Sequence, residues 1–336
     1  MRREIVEIPD AVERLLDSSD GSIAAAGLRL RETAPRFMTT VARGSSDHVA
    51  SYMKYAVELT AGLPVASIGP SIASIYGAKL KLGSSACLAI SQSGASPDIV
   101  AMATSAREAG ALTIALTNTA DSPLARASDH AIDILAGAER SVAATKTFVN
   151  SAVAGLAILA HSTGDKALLS ALGNLPGHFR AAIDCDWVDI ADALAGQTSL
   201  FILGRGPSFA IASEAALKFK ETCAMHAEAY SAAEVMHGPL ALVGPGFPVL
   251  ALAARDASES SMAEAADRLA GKGASIFLTS ARATAAKTLP HVATGHPLTD
   301  PLALIVSFYG FVEAFARHQG LNADEPRNLR KVTETL

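Results

Sequence analysis

Six consecutive residues, Ser91-Gln-Ser-Gly-Ala-Ser96, put three hydroxyls, a carboxamide and a glycine between the apolar run 86–90 and a helix that starts near Pro97. Hydroxyls donate to phosphate oxygens, and glycine lets the backbone approach a ligand closely. The helix behind them adds unpaired N–H groups and the positive end of its dipole. This is the chemistry of an anion cradle, and Ser46, which ends another apolar run, can reach the same edge. A Ser-rich turn that only caps the helix fits the same residues. Farther along, Glu214, Lys218 and Glu221 form a stripe beside the apolar positions Ala212, Ala215, Ala216 and Phe219. Such a stripe reads as a solvated helix face with an i, i+4 ion pair. Glu221, however, stands near the helix end, where its charge opposes the dipole. A carboxylate kept there beside lysines suits general-base work. His237 precedes Gly238-Pro239, a stop signal. It offers either dipole complementation at a helix end or an imidazole that titrates near neutrality. Lys331 lies in the polar tail 322–336 and carries chemistry only if that tail folds back over the site. His226, Glu228 and His237 match no standard metal spacing. Ser231 with Glu234 fits a capping box, so Glu234 is left out of the site.

The elements that must position these groups come in two similar sets. Phe37-Met-Thr-Thr-Val-Ala-Arg-Gly-Ser-Ser46 resembles Leu200-Phe-Ile-Leu-Gly-Arg-Gly-Pro-Ser208, and Ala106-Arg-Glu-Ala-Gly-Ala-Leu-Thr-Ile114 resembles the run 267–276 at nearly the same offset. Two matches at one spacing indicate a duplicated domain. In the first copy the patterning predicts strands near 37–42, 64–68, 85–90, 111–117 and 131–135, and helices near 47–61, 71–81, 96–109 and 122–128. Strand–helix alternation of this kind predicts βαβ crossovers and a parallel sheet. In the second copy strands are predicted near 199–204, 248–253, 275–279 and 291–294. Residues 148–196 read as helices broken at Gly164 and Gly173, and a last helix is expected to be capped by Asp300 and stopped at Gly320. The turn 254–260 of the second copy, equivalent to the cradle, carries Asp256 and Glu259, which repel an anion. Phosphate recognition is therefore expected in the first copy alone.

Composition narrows the function further. The 336 residues leave room for two domains, and with 50% hydrophobic but 5% aromatic residues the cores must be built from small aliphatic side chains. That suits parallel sheets covered by helices on both faces. A net charge of −5 without a basic tract argues against a nucleic-acid partner. The longest apolar stretch, 152–160, is broken by Gly155 and falls well short of the roughly 20 residues of a membrane span. Glu4 and Glu7 stand where a signal peptide needs an apolar run. Cys87, Cys185 and Cys223 form neither a disulfide framework nor a metal spacing and are expected to be small buried hydrophobes of a cytosolic, cytoplasmic chain.

Ser91-Gln-Ser-Gly, Gly204-Arg-Gly, His226-Ala-Glu-Ala-Tyr230, His237-Gly-Pro-Leu and Pro326-Arg-Asn-Leu-Arg-Lys331 follow one another along nearly the whole chain. In that order they resemble the isomerase half of glucosamine-6-phosphate synthase and the single-chain glucosamine-6-phosphate deaminases of the SIS (sugar isomerase) family. The resemblance implies an α/β fold of two tandem SIS domains, each a parallel five-stranded sheet flanked by helices in a flavodoxin-like three-layer sandwich. The expected division is 1–165 for the first, phosphate-binding domain, 166–320 for the second with its linking helices, and 321–336 for a tail over the active site. The resemblance implies that Ser46, Ser91, Gln92, Ser93 and Ser96 hold the phosphate, that Glu221 moves a proton between C1 and C2, and that His237 opens the sugar ring. It further implies that Lys331 forms an imine with the sugar, and that Lys218 and Arg327 stand near the site. In the family the histidine reaches the neighbouring subunit, which implies a homodimer with shared active sites. No metal or redox cofactor is needed. The family usually has Ser where this chain has Ala144, so one substrate contact is expected to be missing.

The chain opens directly into its SIS region with no cysteine ahead of Cys87, so it is not expected to draw ammonia from glutamine. The expected reaction is therefore conversion of glucosamine 6-phosphate to fructose 6-phosphate and ammonia. The enzyme alternatives are a fructosamine-phosphate deglycase and an aldose–ketose isomerase. The alternative of another class is a non-catalytic sugar-phosphate sensor. Such sensors often carry a helix-turn-helix domain, for which the 36 residues ahead of the first strand are too few.

Overall fold

Short apolar runs alternating with helical stretches build, in this computed structural model describing residues 1–331, two five-stranded parallel sheets. The chain divides into two units. The first contains Glu7–Glu139, Ala144–Gly173 and, of the described tail, Arg330 and Lys331. The second contains Met1–Val6, Arg140–Ala143 and Asn174–Leu329.

After helix α1 (Arg2–Val6), which belongs to the second unit, the first unit opens with α2 (Ile8–Thr33), β1 (Phe37–Val41), α3 (Ser45–Ala61), β2 (Val65–Ser67) and α4 (Ser71–Ser74). It continues with β3 (Ser85–Ile90), α5 (Pro97–Glu108), β4 (Leu112–Thr117), α6 (Pro123–Ala127), β5 (His130–Asp133), α7 (Lys146–Thr163) and α8 (Lys166–Gly173). The strand order is β2-β1-β3-β4-β5. β3 and β4 are buried at every residue, as continuous apolar runs in an all-parallel sheet should be. The order reverses between β1 and β3. In open α/β sheets the crevice outside the carboxyl ends at such a point takes ligands.

The second unit holds α9 (Leu175–Ile183), α10 (Val188–Leu194), β6 (Ser199–Gly204), α11 (Pro207–Cys223), β7 (His226–Ser231), β8 (Pro248–Ala251), α12 (Glu259–Ala270), β9 (Ser275–Leu278), β10 (Lys287–Thr288) and α13 (Asp300–His318). Its order, β10-β9-β8-β6-β7, repeats that of the first sheet. The duplication extends to single dihedrals. Gly44, ahead of α3, has φ 55° and ψ −133°, and Gly206, ahead of α11, has φ 58° and ψ −137°. Both Arg-Gly pairs thus place glycine in the left-handed region that a Cβ disfavours.

Several expectations need correction. The helix expected over 71–81 is the single turn Ser71–Ser74; Gly77 is left-handed at φ 58°, and Ile75 and Tyr76 face solvent, so no apolar stripe extends the helix. β7 was not foreseen as a strand. It is an edge strand whose His226 and Glu228 are exposed, so it lacks an apolar run. The strand expected over 291–294 is replaced by Lys287–Thr288, just ahead of Pro290. Thr299, rather than Asp300, occupies the N-cap position of α13, and the Asp300 carboxylate instead accepts from the backbone N–H of Arg255 and Thr294. Cys87 and Cys223 are buried, and burial pushes each thiol up to about 11, whereas Cys185 is half-buried. Among the described residues no helix is long and apolar enough to cross a membrane.

Candidate functional site

At the switch point of the first unit, the loop after β3 is pinned by the loop after β4. Gln92 O accepts from Asn118 N–H at 3.0 Å, and Gly94 O accepts from Leu124 N–H at 2.9 Å. Ser91 is buried, and its hydroxyl accepts from the Gly94 amide at 3.2 Å. Gly94 has φ 59°, and a Cβ there would lie 2.2 Å from Ser122 Oγ, so only glycine fits this turn. The half-buried Ser96 occupies the N-cap position of α5, yet its side chain does not cap the helix. Pro97 has no N–H, the Ile99 N–H donates to Asp98 Oδ1 at 2.8 Å and the Val100 N–H to Ser96 O at 3.0 Å, so at this helix start, among the described residues, the Ser96 hydroxyl is left uncommitted. Ser46 lies in the first turn of α3, which leaves the neighbouring strand β1. Arg43 joins the two sides by an ion pair with the buried carboxylate of Asp98 in the first turn of α5. Ser46, Ser91, Gln92, Ser93 and Ser96 therefore stand on two adjacent loops at one sheet edge, and Arg43 adds a half-exposed guanidinium there. In the second unit Asp256 accepts from Ser258 within its own turn, and Glu259 pairs with Arg282 of the loop after β9.

On α11 the structure overturns the solvated-face reading. Lys218 and Glu214 are fully buried, and the Glu221 side chain is 17% exposed. Lys218 Nζ pairs with Glu214 Oε1 at 3.2 Å and with Glu221 Oε2 one turn beyond. The Tyr309 hydroxyl, from the buried helix α13, donates to Glu214 Oε1 at 3.1 Å. Burial alone would lower the Lys218 ammonium. The charges and hydrogen bonds of Glu214 and Glu221 outweigh it and hold the group above its usual range. An ammonium fixed beside a carboxylate favours the ionised carboxylate. Glu221 is the member of this network that reaches solvent, as a general base must.

The remaining predicted residues are placed separately. His237 follows the 3-10 turn Glu234–Met236 and is exposed. It lines a cavity of about 250 Å3 with Arg205, Met236, Ser261, Glu264 and Arg268. Ser231 Oγ accepts only from Ala233 N–H, at 3.4 Å, and the expected reciprocal cap with Glu234 is not formed among the described residues. Arg327 is exposed and, among the described residues, makes no side-chain hydrogen bond or ion pair with the Lys218–Glu221 pair. Lys331 pairs at 2.9 Å with Glu139, whose side chain is fully buried.

The SIS domain pattern matches residues 36–161 and 193–293, one stretch on each sheet. The chain belongs to the SIS-domain family. It is 37% identical over 312 residues to the glutamine–fructose-6-phosphate aminotransferase (isomerizing) of Halobacterium salinarum, covering 87% of this chain and 50% of that one. This SIS chain thus spans about half the length of that relative. Among solved structures it superposes on a candidate phosphosugar isomerase from Silicibacter pomeroyi with a TM-score of 0.94 and 59% identity, over 96% of this chain and 99% of that one. The C-terminal domain of glucosamine-fructose-6-phosphate aminotransferase from Francisella tularensis superposes with a TM-score of 0.83 at 26% identity, over 97% and 98% of the two chains. The glucosamine-6-phosphate deaminase of Thermotoga maritima shares the fold, with a TM-score of 0.78 at 18% identity over 99% of each chain.

Sequence reasoning missed Arg43, Asp98, Tyr309 and Glu139. Arg43 carried a signal, because its Arg-Gly pair recurs at Arg205-Gly206. Tyr309 and Glu139 carried none, since their partners lie far away along the chain.

Proposed function

We propose that this SIS chain is a phosphosugar isomerase of the aldose–ketose type whose substrate is an amino-sugar phosphate, glucosamine 6-phosphate above all, which it deaminates to fructose 6-phosphate. The observation that carries the reading is the buried Lys218 between Glu214 and Glu221, which keeps one partly exposed carboxylate ready to accept a proton. The loops of Ser46 and Ser91–Ser96 hold the phosphate. His237 opens the ring. Glu221 takes the proton from C2 of the open-chain amino aldehyde and returns it to C1, leaving a ketimine at C2. The Lys331 amine adds at C2 and ammonia leaves; water then hydrolyses the lysine imine to the ketose. Arg327 contributes charge near the anionic substrate. His237 acts in the site of a second copy of the chain, so the active form is a homodimer.

The test is a panel of hexose and hexosamine 6-phosphates, each assayed for ammonia and for ketose phosphate. Ammonia released in step with ketose from glucosamine 6-phosphate supports the reading; ketose formed only from neutral aldose phosphates replaces it with simple isomerisation. The likeness to the Silicibacter pomeroyi protein favours that second reading, which uses the same Glu221 proton transfer without nitrogen.

A further inference from the structure

We infer that Glu139 is the positioning residue for Lys331, the anchor that holds this lysine of the tail within the first unit. The inference rests on the proposed imine role of Lys331.

Glu139 lies in the loop between β5 and α7, and its two carboxylate oxygens divide their work. Oε1 accepts from the backbone N–H of Thr145 at 2.9 Å and of Thr147 at 3.2 Å, satisfying donors at the start of α7 that have no partner within the helix. Oε2 accepts from the Thr147 hydroxyl at 2.6 Å and from Lys331 Nζ at 2.9 Å. Burial would push this carboxyl up. The Lys331 charge, the Thr147 hydroxyl and the Thr145 amide outweigh burial and hold it below its usual range.

One oxygen thus serves the helix alone, and the other is shared between the Thr147 hydroxyl and the tail lysine. A fully buried carboxylate is costly without a counter-charge, and the Lys331 ammonium supplies one at the second oxygen. The tail has little else to hold it. From Asp324 to Arg330 every residue is exposed except the half-buried Pro326, and Asn328 sits in the left-handed region at φ 63°. Ala323 is tied to Ser141 through its carbonyl, and Asp324 to Val142 through its carbonyl and to the Met1 ammonium through its carboxylate; beyond Asp324 the next side-chain bond or ion pair along the described tail is the one between Lys331 and Glu139. An ammonium cannot add to carbon. The ion pair is therefore the docked resting form, which parts when Lys331 engages substrate.

Glu139→Gln tests this directly, because the amide oxygen still serves the two N–H groups of α7 while the amide nitrogen turns a donor toward Lys331. The first readout is the rate of trypsin cleavage in the tail, followed by intact mass. The second is borohydride trapping of glucosamine 6-phosphate on the Lys331 peptide. Steady-state kinetics and binding of inorganic phosphate accompany both. We expect about tenfold faster tail cleavage, a trapped yield and a kcat lowered at least tenfold, and phosphate binding unchanged. Lys331→Met should release the tail to the same degree, and Lys331→Arg should leave the tail protected without any trapping. These two variants leave the helix cap intact and keep the test sharp if Glu139→Gln folds poorly. Wild-type protection of the tail in both Glu139→Gln and Lys331→Met overturns the anchor. Wild-type trapping and kcat in Glu139→Gln overturn the positioning role. If the wild type itself traps no sugar while the tail responds as expected, the imine step fails and the anchor stands.

Discussion

Lys218 and Glu214 are both fully buried, one helical turn apart on α11, and meet at 3.2 Å. The Tyr309 hydroxyl also bonds Glu214, and the same ammonium pairs with Glu221, so Lys218 contacts two carboxylates. Removing that ammonium breaks a buried ion pair of Glu214. Lys218→Met is therefore expected to cost roughly 3–5 kcal/mol of stability and to abolish turnover. Adding Glu214→Gln should recover much of the stability but none of the activity. Thermal melts and the ammonia assay measure the two effects separately.

The cradle predicts a binding defect without a folding defect. Ser93→Ala together with Ser96→Ala removes two hydroxyl donors from half-exposed positions, and a hydrogen bond to a charged group contributes about 1.5–3 kcal/mol. Calorimetry should show sugar-phosphate affinity falling by about tenfold or more, with an unchanged melting temperature. Gly94→Ala is the contrasting case. Its Cβ meets Ser122 Oγ at 2.2 Å, so both affinity and melting temperature should fall. Equal affinity in the serine double variant removes the phosphate from this loop.

Much of the fold was legible because a parallel sheet announces itself. β3 and β4 are continuous apolar runs, Pro97 and Pro123 open helices, and the repeated Arg-Gly pairs mark the same turn in both copies. β7 was not legible, because an edge strand with exposed His226 and Glu228 has no apolar signature. The candidate site was legible only in part. A stripe of Glu and Lys on one helix looks the same whether it faces water or another helix, and the packing of α13 against α11 decided it. Glu139 escaped for a simpler reason: the lysine that gives it meaning lies 192 positions later.

The Glu139 carboxyl also sets a pH dependence. Its folded value is depressed below the ordinary 4.5. Its stabilisation is therefore fully present above about pH 4.5 and is lost as the pH falls through the folded value. Melting temperatures of wild type and Glu139→Gln measured from pH 7 down to pH 3 should differ most at neutral pH and converge in acid. A gap that stays constant across the range contradicts an ionised Glu139.

Shared sites predict complementation. Glu221→Gln and His237→Ala should each be inactive alone. After subunit exchange, one of the two sites in each heterodimer regains both residues, so activity should return to at most half of the wild-type value. Heterodimers that form, as shown by mass, and stay inactive contradict a His237 supplied in trans.

Deuterium incorporation tests the central claim, that Glu221 carries the proton between C2 and C1, most directly. Glucosamine 6-phosphate in heavy water, followed by NMR beside an ammonia assay, should exchange its C2 proton as ammonia appears with the wild type. Glu221→Gln should lose both processes by at least a hundredfold, on the scale of a missing general base, while sugar-phosphate binding persists because the cradle lies on other loops. Exchange and ammonia release that continue at the wild-type rate in Glu221→Gln would contradict the account.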